Sequence, residues 1–331
     1  TLRNVLCRLK TVCSDTAVTA GGTGNIVLDA NSTGATANIN LTTTGQNVVA
    51  DGDDIHLQAV NAITRTNGQT PEIRGDRVFL DAANVGTSAD PIFTQAGTLG
   101  VRTTSAAAVF VTEVAAGTAL TIGTVVDLAA DLTGATTFEG ISTSGGDVQI
   151  TLAADGGTLT VANANTGTDT VRLGAGDLTL LADELVIDAG TDQAIAATVV
   201  TLRGNAAQAV ELGSADAAAN DVLELTTAEL AEITATDLII GGGSTTTISL
   251  TADTAIANVS NVLLDAGSTI GSDDANNELN VSANSGALAL RAGGAIGATN
   301  SFGTEVGTLS AVTTSGAIDI TETSTGGDMQ L

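Results

Sequence analysis

Four short apolar runs of this 331-residue chain leave through nearly the same residues: Leu28-Asp29-Ala30-Asn31, Leu80-Asp81-Ala82-Ala83, Ile187-Asp188-Ala189-Gly190 and Leu264-Asp265-Ala266-Gly267. A strand that exits each time through Asp-Ala-small turns a similar corner each time, and repeated corners mean a fold assembled from repeats. A longer copy agrees. Residues 98–105 (TLGVRTTS) correspond to residues 308–315 (TLSAVTTS), and after one residue's slip Val111-Thr112-Glu113 matches Ile320-Thr321-Glu322. Upstream, Val85-Gly86-Thr87 matches Ile296-Gly297-Ala298, so an array of roughly 210 residues starts again near residue 290. Sandwiches and barrels give their strands distinct places and no reason to resemble one another. A solenoid does.

The runs themselves alternate apolar and polar residues and are spaced by Gly, Asn, Asp, Ser or Thr, as in Asn25-Ile26-Val27-Leu28, Asp54-Ile55-His56-Leu57, Arg77-Val78-Phe79-Leu80, Val148-Gln149-Ile150-Thr151-Leu152 and Thr247-Ile248-Ser249-Leu250. These are period-two strands between turn residues. Five Phe with no Trp and no Tyr suit a narrow interior filled by Val, Ile, Leu and Ala. The expected fold is all-β, a parallel β-helix running without a boundary over residues 14–331. With coils of roughly 20 to 30 residues and strands ~4.8 Å apart, it would make about 11 to 16 coils.

Residues 1–13 differ. Leu2, Val5, Leu6, Leu9 and Val12 follow helical spacing, with Arg3, Arg8 and Lys10 off the stripe. Two readings stay open: a short helix capping the solenoid's edge, or a basic docking arm against an acidic neighbouring subunit. Cys7 and Cys13 are the chain's two cysteines and could bridge if the segment is not helical. A second short helix is expected within residues 225–235. At the other end, Gly326-Gly327-Asp328-Met329-Gln330-Leu331 repeats Gly145-Gly146-Asp147-Val148-Gln149-Ile150, which places Leu331 inside a strand. Leu2, Cys7, Cys13 and Leu331 are therefore the candidate assembly residues, by contact with further copies of the chain.

Thirty-seven acidic against ten basic side chains give a formal charge of −27. Nucleic acid and anionic membrane surfaces would repel such a chain. No run approaches the ~18 apolar residues of a membrane helix. The one histidine, His56, is expected on the outward, solvent-facing side of its strand, and one histidine excludes a multi-histidine metal site within one chain. Asp51-Gly52-Asp53-Asp54 and Asp273-Asp274 offer hard oxygen ligands in turns, as Ca²⁺ prefers; solvated acidic turns are the alternative. Arg74-Gly75-Asp76 spells an integrin-type tripeptide behind Pro71, on a protruding turn or on a corner between coils. No other cofactor is implied.

Ala292-Gly293-Gly294-Ala295-Ile296-Gly297, residues 313–320 (TTSGAIDI) and residues 223–230 (LELTTAEL) resemble the repeats of large bacterial secreted exoproteins of the filamentous haemagglutinin type. The similarity spans most of residues 14–331. It implies a right-handed parallel β-helix, extracellular or at the cell surface, serving adhesion, biofilm or filament structure. Neither Pro71 nor Pro91 follows Asn, so the Asn-Pro-Asn secretion signature of such proteins is missing. The expected function is a non-catalytic structural rod building a fibre, surface layer or adhesive stalk. Its partners would be copies of itself in a homopolymer, or cell-surface components. A polysaccharide-processing β-helix enzyme, which would need carboxylates converging in one cleft, and an ice-binding solenoid are the alternatives.

Overall fold

Alternation decides where the backbone bonds go. Side chains at every second position of a run turn inward, and the N–H and C=O groups are left to pair with the runs above and below. The computed structural model describes residues 5–8, 12–13, 18–20, 24–30, 37–41, 48–65, 73–114, 119–128, 136–153, 156–164, 167–214, 222–283 and 285–323. More than half of them are strand and a single five-residue helix is present among them, and they fall into two compact units, residues 1–164 with 170–177 and residues 165–169 with 178–331.

In the first unit the chain visits three parallel ladders in a fixed order. Val5, Ile26, Ile55, Val78 and Leu99 stack on one ladder. Val12, Ile39, Ile63, Val85, Val109 and Val148 stack on the second. Val18, Val48, Ile73 and Thr94 stack on the third. The long strand Val48–Ala59 serves the third ladder with its start and the first with its end, changing register between Ala50 and Asp54. The second unit repeats the plan. Val199–Arg203, Ile233–Gly241, Val259–Ala266, Ala287–Ala292 and Thr308–Thr313 pair in parallel as one side. Ile270, Ile296 and Ile318 bridge on another, and Thr254–Ile256, Glu278–Val281, Phe302–Glu305 and Ile320–Glu322 form a third. Each unit is thus a parallel β-solenoid of short coils.

The core is the inside of the coils. Val262 and Leu264 are 2% and 0% exposed while Leu263 between them is only half-buried, the register their alternation predicts. The repeat seen in the sequence holds to the atom. Gly86 and Gly297 both have positive φ (66° and 69°), and a Cβ on either would strike a carbonyl of the next coil, Phe110's or Asp319's. Thr94 Oγ1 donates to Glu113 Oε2 at 2.9 Å, and Thr304 Oγ1 donates to Glu322 Oε2 at 2.8 Å. Glu113 also accepts from the Ala96 amide and is 1% exposed, so the Val-Thr-Glu motif is a clasp between coils.

Longer coils carry insertions. Between Val101 and its register partner Ile141 the chain throws out an antiparallel ribbon, Thr124–Asp127 against Thr136–Glu139. Between Val200 and its partner Leu238 it forms the helix Thr227–Ala231, with a capping box between Thr226 and Glu229. This is the short helix expected near residue 230. The N-terminal helix is not formed: Val5–Arg8 and Val12–Cys13 are strands paired with Ile26–Asp29 and Ile39–Asn40. The facing coil presents a row of amides and carbonyls that only an extended segment can satisfy, and that outweighs a weak helical stripe.

Candidate functional site

Arg74, Arg77, Arg102 and Arg291, on the outer faces, each meet a carboxylate one coil below. Arg74 donates through Nε and Nη2 to Asp51 at 2.6 and 2.9 Å, and Arg77 does the same to Asp54 at 2.6 and 2.9 Å. Arg102 reaches Asp81 at 2.6 Å and Asp127 at 3.2 Å, and Arg291 grips Asp265. The Asp of the Leu-Asp-Ala exit is thus a rung partner in at least two of its copies among the described residues, Asp81 and Asp265. Arg65 instead donates to the Pro91 carbonyl and lies over Phe93, while Arg172 donates to the Glu139 carbonyl.

The candidate calcium ligands take their place in this scheme. Asp51 and Asp54 are bound by arginines, Asp53 accepts from the Gly24 amide at 2.8 Å, and a cation there would compete with those donors. Asp273 and Asp274 are exposed and accept from Asn277 and Asn276. The two groups lie in different units, and among the described residues no three His, Cys, Asp or Glu converge as a metal site. Arg74-Gly75-Asp76 lies inside the strand Ile73–Asp81, where that strand passes from the third ladder to the first, and Gly75 is buried, so it is not a protruding turn. Leu2 and Leu331 lie outside the described residues; Cys7 and Cys13 lie in strands.

His56 corrects the sequence reading. It does stand on the outer face, in the column Val27–His56–Phe79–Gly100, but that face is covered and His56 is 2% exposed. The ribbon covers it. Val125 occupies the space that a side chain at Gly100 would need, and Phe138 stacks on Phe79 at 4.8 Å. The His56 ring lies 4.6 Å from Phe79, and its Nδ1 is 3.0 Å from the Leu128 carbonyl oxygen, so Nδ1 carries the proton and Nε2 is bare. Nε2 is buried with no partner. Burial holds this imidazole below its ordinary 6.5, against the Leu128 bond and the charges of Asp127 and Asp81. Arg102 adds to the lowering.

The second unit holds a groove of about 250 Å³ lined by Thr227, Asp253, Thr254, Glu278, Asn280 and Glu305. Three carboxylates share it, the arrangement that a carbohydrate-cleaving reading calls for. Asp253 already accepts from the Glu278 amide at 3.1 Å and Glu305 from Asn280 at 2.8 Å. No aromatic side chain lines the groove. Nothing in the sequence marked it, because its residues meet only once three coils and the helix are stacked.

No family model, no curated protein and no solved structure matches this chain.

Proposed function

We propose that this chain is a non-catalytic structural rod of a bacterial surface protein: a right-handed parallel β-helix that builds a fibre, surface layer or adhesive stalk. It works outside the cell, by end-to-end assembly with copies of itself or as part of a longer repetitive chain. The supporting observation is the repetition of one coil device at two distant places, the Gly86 and Gly297 corners with the Thr94–Glu113 and Thr304–Glu322 clasps. Selection that keeps a buried clasp in successive copies maintains an array, and an array is a length-setting device. Right-handedness follows the general preference of parallel crossovers, which holds in about 98% of cases. The test is electron microscopy of the native material with mass spectrometry of its subunit. Filaments or a longer polypeptide are expected; a 32.4 kDa monomer that stays dispersed at high concentration refutes the reading.

The groove at Asp253, Glu278 and Glu305 supports a second reading, hydrolysis of a polysaccharide by a carboxylate pair. It predicts release of reducing ends from a polysaccharide panel, abolished by Glu278→Gln. No release from any member removes it.

A further inference from the structure

The ribbon of the first unit is attached differently from every coil strand around it. Its strands Thr124–Asp127 and Thr136–Glu139 pair with each other and with no ladder strand. Among the described residues, backbone bonds tie it to the coils only at its neck, where the Val101 and Gly123 amides donate to the Gly140 and Leu99 carbonyls at 2.9 and 3.3 Å. Gly140, at a φ of 61°, stands so close to the Thr170 carbonyl that a Cβ there would strike it, so the neck is fixed. A two-stranded ribbon has little stability of its own, so what it lies on decides whether its far end stays down.

It lies on the outer-face column His56–Phe79–Gly100, one residue from each of three successive coils. Val125 fills the space that a side chain at Gly100 would need, and Phe138 stacks on Phe79 at 4.8 Å. Away from the neck, the Leu128 carbonyl accepts from His56 Nδ1 at 3.0 Å, and Asp127 meets Arg102 at 3.2 Å. Val125 and Phe79 are fully buried and His56 nearly so, although none of them belongs to the coil interior. The far end is thus latched on an imidazole whose other nitrogen, Nε2, is buried with no acceptor among the described residues.

Charged groups stand beside this ring on every element around it: Asp54 on its own strand, Asp29 on the preceding coil, Arg77 and Asp81 on the following one, Arg102 on the next, and Asp127 and Glu139 on the ribbon. Arg77 is held by Asp54, and Arg102 by Asp81 and Asp127. Burial opposes a second proton on the ring most strongly and Arg102 adds to that, while the Leu128 bond, Asp127 and Asp81 favour it. Raising the ribbon would give the Nε2 proton water to donate to, so the raised form takes up the proton more readily than the closed one.

We propose that the ribbon is an acid-released strap: protonation of His56 lifts its far end from the ladder and uncovers Phe79, Phe138 and Val125, while the coils stay wound. Lifting breaks one ion pair, one hydrogen bond and the packing of a few side chains, whereas unwinding the coils breaks the ladders. Local opening is therefore the cheaper way to bring the imidazolium to water.

The test is amide exchange in the full chain at pH 7.5 and 5.5, each rate divided by its intrinsic rate at that pH. Protection of residues 124–127 and 136–139 should fall at least twofold from the higher pH to the lower. About tenfold is the most that one imidazole of ordinary value 6.5 can supply over that range. The strands Ile73–Asp81 and Ile92–Arg102 should keep their protection. His56→Phe leaves a ring against Phe79 and should give a ribbon equally protected at both pH values, with the same two strands reporting that the variant is folded. If it does not fold, the titration of His56 in the wild type decides: a midpoint clearly below 6.5 is expected, and one at or above 6.5 removes the reason for the strap to lift. No fall in ribbon protection, a fall shared by the ladder strands, or a fall that survives His56→Phe overturns the proposal.

Discussion

At His56 the cost of a buried charge sets a pH dependence whose sign can be worked out. Protonation puts an N–H on Nε2, which is buried and faces no acceptor, while Nδ1 stays on Leu128. Because the folded value lies below the ordinary 6.5, this group's contribution is fully present above pH 6.5. It is lost as the pH falls from there through the depressed value. Urea unfolding at pH 6.5 and 5.5 should therefore show wild type losing up to about 1 kcal/mol more than His56→Phe over that unit. Parallel losses would mean that the imidazole titrates alike in both states. Glu113 is the complementary case, a buried acceptor whose removal strands two donors. Glu113→Ala leaves the Thr94 hydroxyl and the Ala96 amide unpaired and should cost about 1–3 kcal/mol for each in a thermal or denaturant melt. A loss under 1 kcal/mol in total would mean that water replaces the carboxylate.

Within elements, period two was the legible signal. In the strand Val259–Ala266 alternation alone separates Val262 and Leu264 from Leu263, and the burial follows it. Leu264→Asp should cost several kcal/mol through an unpaired buried charge, and Leu263→Thr well under half as much. Equal losses would mean a different register. Where the sequence misled, two periods fitted one segment. Val5, Leu6, Leu9 and Val12 satisfy a helical stripe, but seven or eight residues are too few to separate it from short strands, and the paired edge decided. The ribbon was hidden for another reason. Thr124-Val125-Val126-Asp127 and Thr136-Thr137-Phe138-Glu139 read like any coil strands, and only Gly123 and Gly140, joined by a hydrogen bond at 3.0 Å, mark the neck. Alternation therefore places His56 on the outer face, as observed, but carries no sign of the ribbon that shields it from solvent. The partner beneath each arginine was equally hidden, because it depends on coil lengths that vary from 21 to 26 residues even among the paired rungs.

Across the whole chain, charge poses a question that magnitudes can decide. Salt weakens the Asp–Arg rungs and also weakens repulsion among the surplus carboxylates. The exposed rungs, such as Arg74–Asp51 with side chains 46% and 66% exposed, are worth ~0–1 kcal/mol each. Repulsion has more members, because acidic side chains outnumber basic ones 37 to 10. Coils ~4.8 Å apart place neighbouring carboxylates well inside the Debye length of ~10 Å at 0.1 M, so each feels several others. Screening should thus relieve more repulsion than it removes attraction. The melting temperature is expected to rise when NaCl is raised from low to physiological strength, at a pH held above 7 to keep His56 neutral. A fall would mean that the rungs carry more of the stability than exposed ion pairs ordinarily do. CaCl₂ at matched ionic strength extends the same measurement to Asp51, Asp53, Asp54, Asp273 and Asp274. The first three already hold arginine or amide donors, so calcium should add no increment beyond screening, and a larger rise would report a specific site.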